Sequence, residues 1–180
     1  MSAQTTSTHV LFAHGMESGP WGPKITEMAQ VAKDLGCSVE SIDYQGQYDF
    51  DERVEFLQQH AASQNGYQDK RLILVGSSMG GYVSAAAVQS VFKHHPPAGL
   101  LLLAPAVGVD GYGKVTMPSM QFTMPVYIVH GWQDDVVKPD YAIDLARQHD
   151  LNLLMVNDGH RLMDSMAVIN HCLQQLIQLP

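Results

Sequence analysis

The chain has 180 residues, of which 46% are hydrophobic and 16% are charged, and it carries a formal net charge of -8 at pH 7. This length and balance predict a single folded domain with a sizeable core and exclude a disordered chain. The excess of acidic residues disfavours nucleic acids and anionic membranes as partners, because both are polyanions.

The amino-terminal segment and the cysteines bear on where the protein resides. Residues 1–8 are polar and lack the basic and apolar parts of a signal peptide, so we expect a flexible segment ahead of one domain over residues 9–180. No apolar run approaches the roughly 20 residues that a membrane-spanning helix needs. Cys37 and Cys172 are too few for a disulfide framework and form no C-x-x-C motif. These features predict a cytoplasmic protein with two reduced thiols and no membrane association.

In chain order, apolar runs alternate with amphipathic helical patterns. The predicted strands cover residues 9–14, 38–43, 71–75, 99–104, 126–130 and 151–156. The predicted helices cover residues 23–35, 51–65, 82–94, 139–149 and 162–179. Asp51 is the expected cap of the second helix. Strands that are apolar on both faces and separated by helices predict an α/β fold, a three-layer sandwich with helices on both faces of a mainly parallel sheet of about six strands. Ligands of such sheets bind beyond the carboxyl ends of the strands.

The loop that follows the third predicted strand matches the pattern G-x-S-x-G over residues 76–80, with Ser78 at its centre. Its glycines, Gly76 and Gly80, lack the Cβ atoms that would collide in a sharp turn. The pattern alone also fits an ordinary Gly/Ser turn, because both residue types are common. With a strand before it and a helix after it, the segment resembles the nucleophile elbow of the α/β-hydrolases, which implies that Ser78 is a nucleophile.

The segment after the fifth predicted strand resembles the acid loop of the α/β-hydrolases. Residues 130–139 match H-G-x-x-D-x-x-V followed by a proline, with Asp134 at the acid position and Asp135 as the second choice. A buried carboxylate there would accept the Nδ1 proton of a histidine, fix its tautomer and stabilise the imidazolium. The alternative interpretation is a solvated turn with two acidic residues.

The segment after the sixth predicted strand, residues 157–161, resembles the loop that carries the catalytic histidine in the same family. That resemblance implies that His160 takes the proton of Ser78 as general base and returns it to the leaving group. His14 and His130 also end predicted strands, and they either line the site or serve packing and hydrogen bonding.

The first predicted strand ends in His14-Gly15-Met16, which is similar to the H-G-x segment that supplies one oxyanion-hole amide in α/β-hydrolases. The resemblance implies that the N–H groups of Met16 and of Met79, the residue after the nucleophile, stabilise the negative oxygen of a tetrahedral intermediate. The alternative is a plain Gly/Pro-rich loop between a strand and a helix.

The segment 106–124, between the fourth and fifth predicted strands, is expected to lie over the site. Its larger apolar side chains suit a small acyl or alkyl pocket, or else they only cover the edge of the sheet. These residues are Tyr112, Met117, Met120 and Phe122. The segment is a loop rather than an inserted cap domain, and the first two antiparallel strands of larger relatives are missing. The resemblance is therefore to very small, single-domain α/β-hydrolases without a cap.

The motifs occur in the order oxyanion loop, Ser78, Asp134 and His160, each at a predicted strand end. The resemblance therefore implies a serine hydrolase that cleaves a small carboxylic ester or thioester and needs no metal or organic cofactor. An amidase or an acyltransferase would use the same three residues. A protein-binding module on a hydrolase scaffold is the alternative from another class, and it would be favoured if the segment 106–124 covered the site.

Overall fold

The computed structural model describes residues 7–180, which contain one six-stranded sheet. Its strands are β1 (Thr8–Ala13), β2 (Ser38–Ile42), β3 (Arg71–Ser77), β4 (Gly99–Leu103), β5 (Val126–Gly131) and β6 (Asn152–Val156). Their order across the sheet is β2-β1-β3-β4-β5-β6, and every neighbouring pair is parallel. Of the predicted flexible segment 1–8, residues 1–6 lie outside the described residues, and Thr8 already belongs to β1.

Helices pack on both faces of this sheet. They are α1 (Pro23–Asp34), α2 (Phe50–Ser63), α3 (Met79–Val88), α4 (Pro139–His149) and α5 (Met166–Gln178). Helices α2, α3 and α4 share a core with one face, and α1 and α5 share a second core with the other. The predicted fold class is therefore confirmed. None of the helices in residues 7–180 combines the length and the apolar character that crossing a membrane requires.

The apolar character of the strands follows from this two-sided burial. In β1, Leu11 and Ala13 join the core with α2 and α3, while Val10 and Phe12 join the core with α1 and α5. Successive side chains of a strand point to opposite faces, so a strand that is covered on both sides has to be apolar at nearly every position.

The position of β3 creates the crevice in which the site lies. The chain runs outward from β1 to β2 and then crosses back to place β3 on the other side of β1. The carboxyl ends of β1 and β3 therefore lead to α1 and α3 on opposite faces, which opens a crevice between the two loops. Ala13 is paired with Gly76 at this edge, so the loops begin side by side.

Several predicted helix boundaries are wrong, among them the start of α3, which is Met79 rather than residue 82. The cap of α2 is Asp49 rather than Asp51, because the Asp49 carboxylate accepts two N–H groups of the first turn at 2.9 Å. Helix α3 ends at Val88 and not at residue 94. Two residues later, the hydroxyl of Ser90 donates to carbonyl groups of the last turn and competes there with the backbone. Helix α5 begins at Met166, after a short 3₁₀ helix.

The segment 106–124 joins β4 to β5 without an α-helix, and most of it does not lie over the strand ends as expected. Because the two strands are parallel, the segment has to return the chain from the carboxyl edge of the sheet to the amino edge. Val107 and Met120 are buried in the core that α3 and α4 share. Near its end, the backbone of Gln121 is hydrogen-bonded to the side chain of Gln89, just beyond the carboxyl end of α3. The segment replaces a crossover helix and is not a lid.

Candidate active site

Ser78 lies in a sharp turn between β3 and α3. Its φ of 55° and ψ of -118° put it in a region that residues other than glycine rarely occupy. The Ser78 N–H donates to the carbonyl of Leu103 at 2.9 Å, and the Ser78 carbonyl accepts the N–H of Ala106 at 3.0 Å. The end of β4 and the loop after it thus hold a strained residue at the carboxyl edge of the sheet.

The glycines around Ser78 make this turn possible. A Cβ atom on Gly76 would collide with the carbonyl of Gly80, and one on Gly80 would collide with the carbonyl of Ala13 at the end of β1. The missing side chains therefore let α3 begin directly against the ends of β1 and β3.

His160 connects Ser78 to Asp134. Its Nε2 lies 2.9 Å from the Oγ of Ser78, and its Nδ1 lies 2.8 Å from the Oδ2 of Asp134. When the Nδ1–H is donated to the carboxylate, the Nε2 can accept the proton of the hydroxyl. The side chain of His160 is 18% exposed, so solvent reaches this edge. The structure thus brings together the three side chains that the motifs single out.

The loop that carries His160 is organised by Asp158. The Asp158 carboxylate accepts the N–H of Gly159 at 2.7 Å and the hydroxyl of Ser165 at 2.9 Å. Its backbone carbonyl accepts the N–H of Gln133 at 3.0 Å, which ties this loop to the acid loop. The sequence offered one signal for this role, an aspartate directly before the Gly-His pair.

Asp134, and not Asp135, is the carboxylate at the site. Its side chain is fully buried, whereas Asp135 is exposed. Two backbone N–H groups of the loop donate to its Oδ1, at 2.9 and 2.8 Å. Burial would raise the pKa of Asp134, but hydrogen bonds from His130, His160 and the Val137 N–H hold that pKa well below the usual range of an aspartate. Asp134 is therefore an ionised and fixed acceptor for the imidazole.

His130 is a second histidine on the same carboxylate. Its Nε2 lies 3.1 Å from the Oδ2 of Asp134 and 2.9 Å from the carbonyl oxygen of Val137. Both neighbours are acceptors, so the Nε2 carries a proton and donates it. Its Nδ1 is buried and has no hydrogen-bond partner within residues 7–180. Of the two roles that the sequence left open for His130, the structure supports hydrogen bonding.

Two buried side chains, His14 and Arg53, hold the loop after β1. The Nδ1–H of His14 donates to the carbonyl of Gly15 at 2.7 Å, and its Nε2 accepts the N–H of Tyr44 at 2.9 Å. Burial lowers the pKa of His14, which keeps the ring neutral and able to accept that N–H. The guanidinium of Arg53 donates to the carbonyl oxygens of His14 at 2.9 Å and of Gly15 at 3.4 Å.

Sequence reasoning missed Arg53 altogether. It comes from α2, where a charged residue is normally expected on the solvent side, yet its exposed fraction is 0%. Its Nε donates to the carbonyl of Gln47 at 2.8 Å, and its guanidinium lies 5.1 Å from the ring centroid of Tyr44. The only sign in the sequence that Arg53 is buried was its position next to Val54, which lies on the predicted inner face of the helix.

The two predicted oxyanion donors belong to the elbow and to the loop after β1. Met79 is the first residue of α3, so its N–H has no acceptor within the helix. No backbone acceptor in the described part of the chain receives this N–H or that of Met16. A Cβ built on Gly15 would lie 3.5 Å from the Cβ of Ser78, so the residue before Met16 packs against the serine. The arrangement leaves both amides available to a ligand.

Most of the residues predicted to form a substrate pocket lie away from Ser78. The carbonyl of Met117 accepts the Nε2–H of His149, the last residue of α4, at 2.8 Å, and Phe122 packs edge-on against the same ring. Met120 is buried beside the carboxyl end of α3. Ser78 precedes the opposite end of that helix, and its ten residues separate the two ends by roughly 15 Å. The parallel crossover carries these three residues away from the strand ends.

Tyr112 is the predicted pocket residue that stays at the carboxyl edge. Its ring lies 4.8 Å from the ring of Phe50, the first residue of α2, and 49% of it is exposed. Residues 108–118 and α4 also line a groove of about 680 Å³. Neither Ser78 nor His160 lines this groove, so it is separate from the candidate triad.

The cysteines lie outside this arrangement. Cys37 and Cys172 are buried and free, and burial raises the pKa of both thiols, so neither is activated as a nucleophile. Among residues 7–180, no group of three or more His, Cys, Asp or Glu side chains is arranged to hold a metal ion.

Comparison with known proteins bears on both the fold and the site. Among solved structures, a protein of the alpha/beta superfamily of hydrolases from Xanthomonas campestris pv. campestris is 29% identical to this chain. Its TM-score is 0.80, and the match covers 96% of this chain and 98% of that one. No curated protein matches the sequence.

Two more distant structures share the fold. An esterase from Pyrococcus furiosus is 14% identical, with a TM-score of 0.77 and a match that covers 97% of this chain and 82% of that one. The type II thioesterase BorB from the borrelidin biosynthetic cluster is 15% identical, with a TM-score of 0.75 and coverage of 98% and 93%. The model of the alpha/beta hydrolase family matches residues 10–167. The chain therefore belongs to the alpha/beta hydrolase family.

Proposed function

We propose that the protein is a serine hydrolase that cleaves a small carboxylic ester or thioester through an acyl-enzyme on Ser78. The observation that carries the proposal is the continuous chain of hydrogen bonds from Ser78 through His160 to Asp134, at 2.9 and 2.8 Å. Membership of the alpha/beta hydrolase family supports it, as do an esterase and a thioesterase among the structures that share the fold.

In the first half of the reaction, the Oγ of Ser78 attacks the carbonyl carbon of the substrate and His160 takes the hydroxyl proton on Nε2. Asp134 accepts the Nδ1–H and stabilises the imidazolium that forms. The N–H groups of Met16 and Met79 donate to the carbonyl oxygen as it becomes negative, and one such donor is worth about 3 kcal/mol of barrier. His160 then returns the proton to the leaving alcohol or thiol, which leaves the acyl group on Ser78.

In the second half, water replaces the departed alcohol or thiol. His160 takes a proton from the water as its oxygen attacks the acyl carbon, and the same two amides stabilise the new oxyanion. The intermediate collapses, the Ser78 oxygen regains a proton from His160, and the carboxylic acid leaves. An amidase would follow the same steps with a nitrogen leaving group that is harder to expel, and an acyltransferase would use an acceptor other than water.

The alternative of a binding module on a hydrolase scaffold depended on a covered site. The segment 106–124 runs along the sheet face instead, with Met120 buried at the far end of α3. Ser78 and His160 are both partly exposed. No observation therefore favours this second function over hydrolysis.

Labelling with a fluorophosphonate probe, followed by mass spectrometry of the adduct, tests the proposal. We expect labelling of the native protein at Ser78 and none of the Ser78→Ala variant. The neighbouring Ser77 is a matched control, because Ser77→Ala removes the hydroxyl of the residue directly before Ser78 and should label like the native protein. A folded native protein that does not react would overturn the assignment of Ser78 as nucleophile.

A further inference from the structure

Large aromatic side chains are exposed on the loops around the candidate triad. Trp21, Tyr48, Tyr112 and Trp132 are 50%, 66%, 49% and 57% exposed, respectively. They lie on the loops after β1, β2, β4 and β5, all of which leave the carboxyl edge of the parallel sheet. We call these four residues the aromatic rim. Met16, Val136 and Met163, which are also exposed, lie on the same edge.

Hydrogen bonds link the rim to the loops of the triad. The Trp132 N–H donates to the carbonyl of Val156 at 2.9 Å, directly before the loop of His160. The Trp21 carbonyl accepts the hydroxyl of Thr26 at 3.0 Å in the first turn of α1. In that same turn, the ammonium group of Lys24 donates to the carbonyl of the residue after His160, at 2.9 Å. The backbone at Trp21 and Trp132 is thus tied to α1 and to β6, next to the loop of His160, while about half of each residue stays exposed.

Exposure of this kind is concentrated at one edge of the molecule. Among the described residues, the other exposed large hydrophobic side chains are Leu35, at the carboxyl end of α1, and Phe56, which packs edge-on against Tyr44. Aromatic rings that remain in water are unfavourable unless a ligand covers them, and clustered exposed apolar groups mark binding surfaces. The edge of the molecule that carries Ser78 is therefore the edge suited to bind an apolar group of a ligand.

The charges of the same loops limit which substrates can carry this apolar group. The loops contain eight acidic residues and three basic ones. Their bounds are 14–22, 43–49, 104–116, 132–138 and 157–165. One of the basic residues, Lys114, already lies 3.9 Å from the carboxylate of Asp51. An acyl carrier that bears phosphate groups would bring several negative charges to an acidic edge, which disfavours it.

We infer that the substrate is a small, uncharged ester whose apolar chain lies across the aromatic rim, outside any enclosed pocket. This inference rests on the proposed function and narrows it from small esters and thioesters to neutral, apolar esters. It also assigns the choice of substrate to Trp21 and Trp132, which are 50% and 57% exposed on the loops after β1 and β5. Apolar contact with such rings favours a long chain over a short one.

The experiment compares long and short esters on matched variants. The kcat/KM values are measured for p-nitrophenyl acetate, p-nitrophenyl octanoate and octyl acetate with the native protein, the double variant Trp21→Ala/Trp132→Ala, and Leu35→Ala as an exposed apolar control. We expect the kcat/KM of the double variant to fall about tenfold more on at least one of the two long esters than on p-nitrophenyl acetate. Leu35→Ala should match the native protein on all three.

The charge argument is tested with octanoyl-coenzyme A. The native protein should cleave this thioester at least about tenfold less efficiently than p-nitrophenyl octanoate at low ionic strength, and the gap should narrow as salt screens the acidic loops. Equal efficiency on the two substrates at low salt would overturn the preference for an uncharged ester.

Other outcomes separate this inference from the proposed function. Native labelling at Ser78 together with an unchanged long-ester preference in the double variant would overturn the role of the rim and leave the hydrolase intact. Absence of labelling would overturn the hydrolase itself. A dimer in light scattering that the double variant dissociates would show that the rim binds a second copy of the chain, and would also overturn the inference.

Discussion

The two sides of Ser78 are built in different ways. On the acid side, the proposed acid and base are the side chains of Asp134 and His160, which meet at 2.8 Å. On the oxyanion side, the proposed donors are backbone N–H groups, and the loop that carries one of them, Met16, is held through carbonyl groups that contact His14 and Arg53. The acid side therefore needs particular residue types at particular positions, whereas the oxyanion side needs only a backbone shape.

This difference separates the side chains proposed to take part in the reaction from the side chains that hold a loop in place. A carboxylate and an imidazole cannot be replaced by other side chains without loss of the chemistry, so they leave a recognisable pattern. A loop can be held by any donor that reaches its carbonyls, and here the donor is 39 residues away in the sequence. Substitutions on the two sides should consequently fail in different ways.

Among substitutions that leave Ser78 and His160 in place, the largest loss of activity is expected from Asp134→Asn. An amide at this position cannot both accept the Nδ1–H of His160 and keep the two backbone donors on its other oxygen without presenting an NH₂ group to one of them. By analogy with other Ser-His-Asp enzymes, kcat should fall roughly ten-thousand-fold. Steady-state kinetics on p-nitrophenyl acetate measure this loss of kcat. The control is Asp135→Asn, a substitution of the exposed neighbour, which should keep a kcat close to the native value. Similar losses in both variants would contradict the assignment of Asp134.

The same variant has a signature in stability. An unfolded aspartate has a pKa of about 3.9, and the pKa of Asp134 in the folded protein lies below its ordinary value. Stabilisation from its ionised form is thus fully present above the unfolded value and is lost as the pH falls through the folded one. The difference in free energy of unfolding between the native protein and Asp134→Asn should shrink below about pH 4. A difference that stays constant under acid denaturation would refute the lowered pKa.

A smaller loss of activity is expected from Arg53→Met. Methionine fills most of the space of arginine but leaves the carbonyls of His14 and Gly15 without their donor, so the loop of Met16 can relax. We expect kcat to fall about a hundredfold, as when one oxyanion donor is lost. The free energy of unfolding should fall by about 1–3 kcal/mol, because buried carbonyls lose their partners.

Arg71 provides the matched control for a merely structural role. Its guanidinium donates to the carbonyls of Leu176, Ile177 and Leu179, but it starts β3 at the opposite, amino edge of the sheet. Arg71→Met should therefore lower the free energy of unfolding without changing kcat, when both variants are assayed well below their unfolding temperatures. Equal kcat values in the two variants would show that Arg53 does not position the oxyanion loop.

The contrast also explains what the sequence could predict. The six strands follow from apolar runs, and the positions of Ser78, Asp134 and His160 follow from residue types at strand ends. Their meeting in space follows from a parallel sheet, which collects all carboxyl ends at one edge. Arg53 could not be predicted because an arginine in an amphipathic helix is normally exposed, and only the fold reveals that this one is enclosed by the loop that it holds.

The path of the segment 106–124 was predictable in principle but was missed. Its apolar residues suit either a substrate pocket or a cover for the edge of the sheet, and both interpretations place them near a strand end. The parallel connection from β4 to β5 requires that only the first part of the segment stay at that edge, as Tyr112 does, and that the later part cross the sheet. The apolar composition of the segment therefore indicated correctly that part of it is buried. The parallel connection from β4 to β5 decides where in the fold that part lies.

Met120→Ala should have the smallest effect on activity and a clear effect on stability. The side chain is 2% exposed in the core of α3 and α4, so its truncation should lower the free energy of unfolding by about 2–3 kcal/mol through lost contacts and a cavity. Because Met120 lies about 15 Å along α3 from Ser78, kcat/KM on both short and long esters should stay within a factor of about two of the native value. Denaturant titration and ester kinetics on the same preparation give both numbers. A selective loss of kcat/KM on long esters would support Met120 as a substrate-pocket residue. It would also mean that a change at the carboxyl end of α3 affects the site at Ser78. An unchanged specificity would mean that Met120 acts through the core alone and takes no part in the proposed reaction.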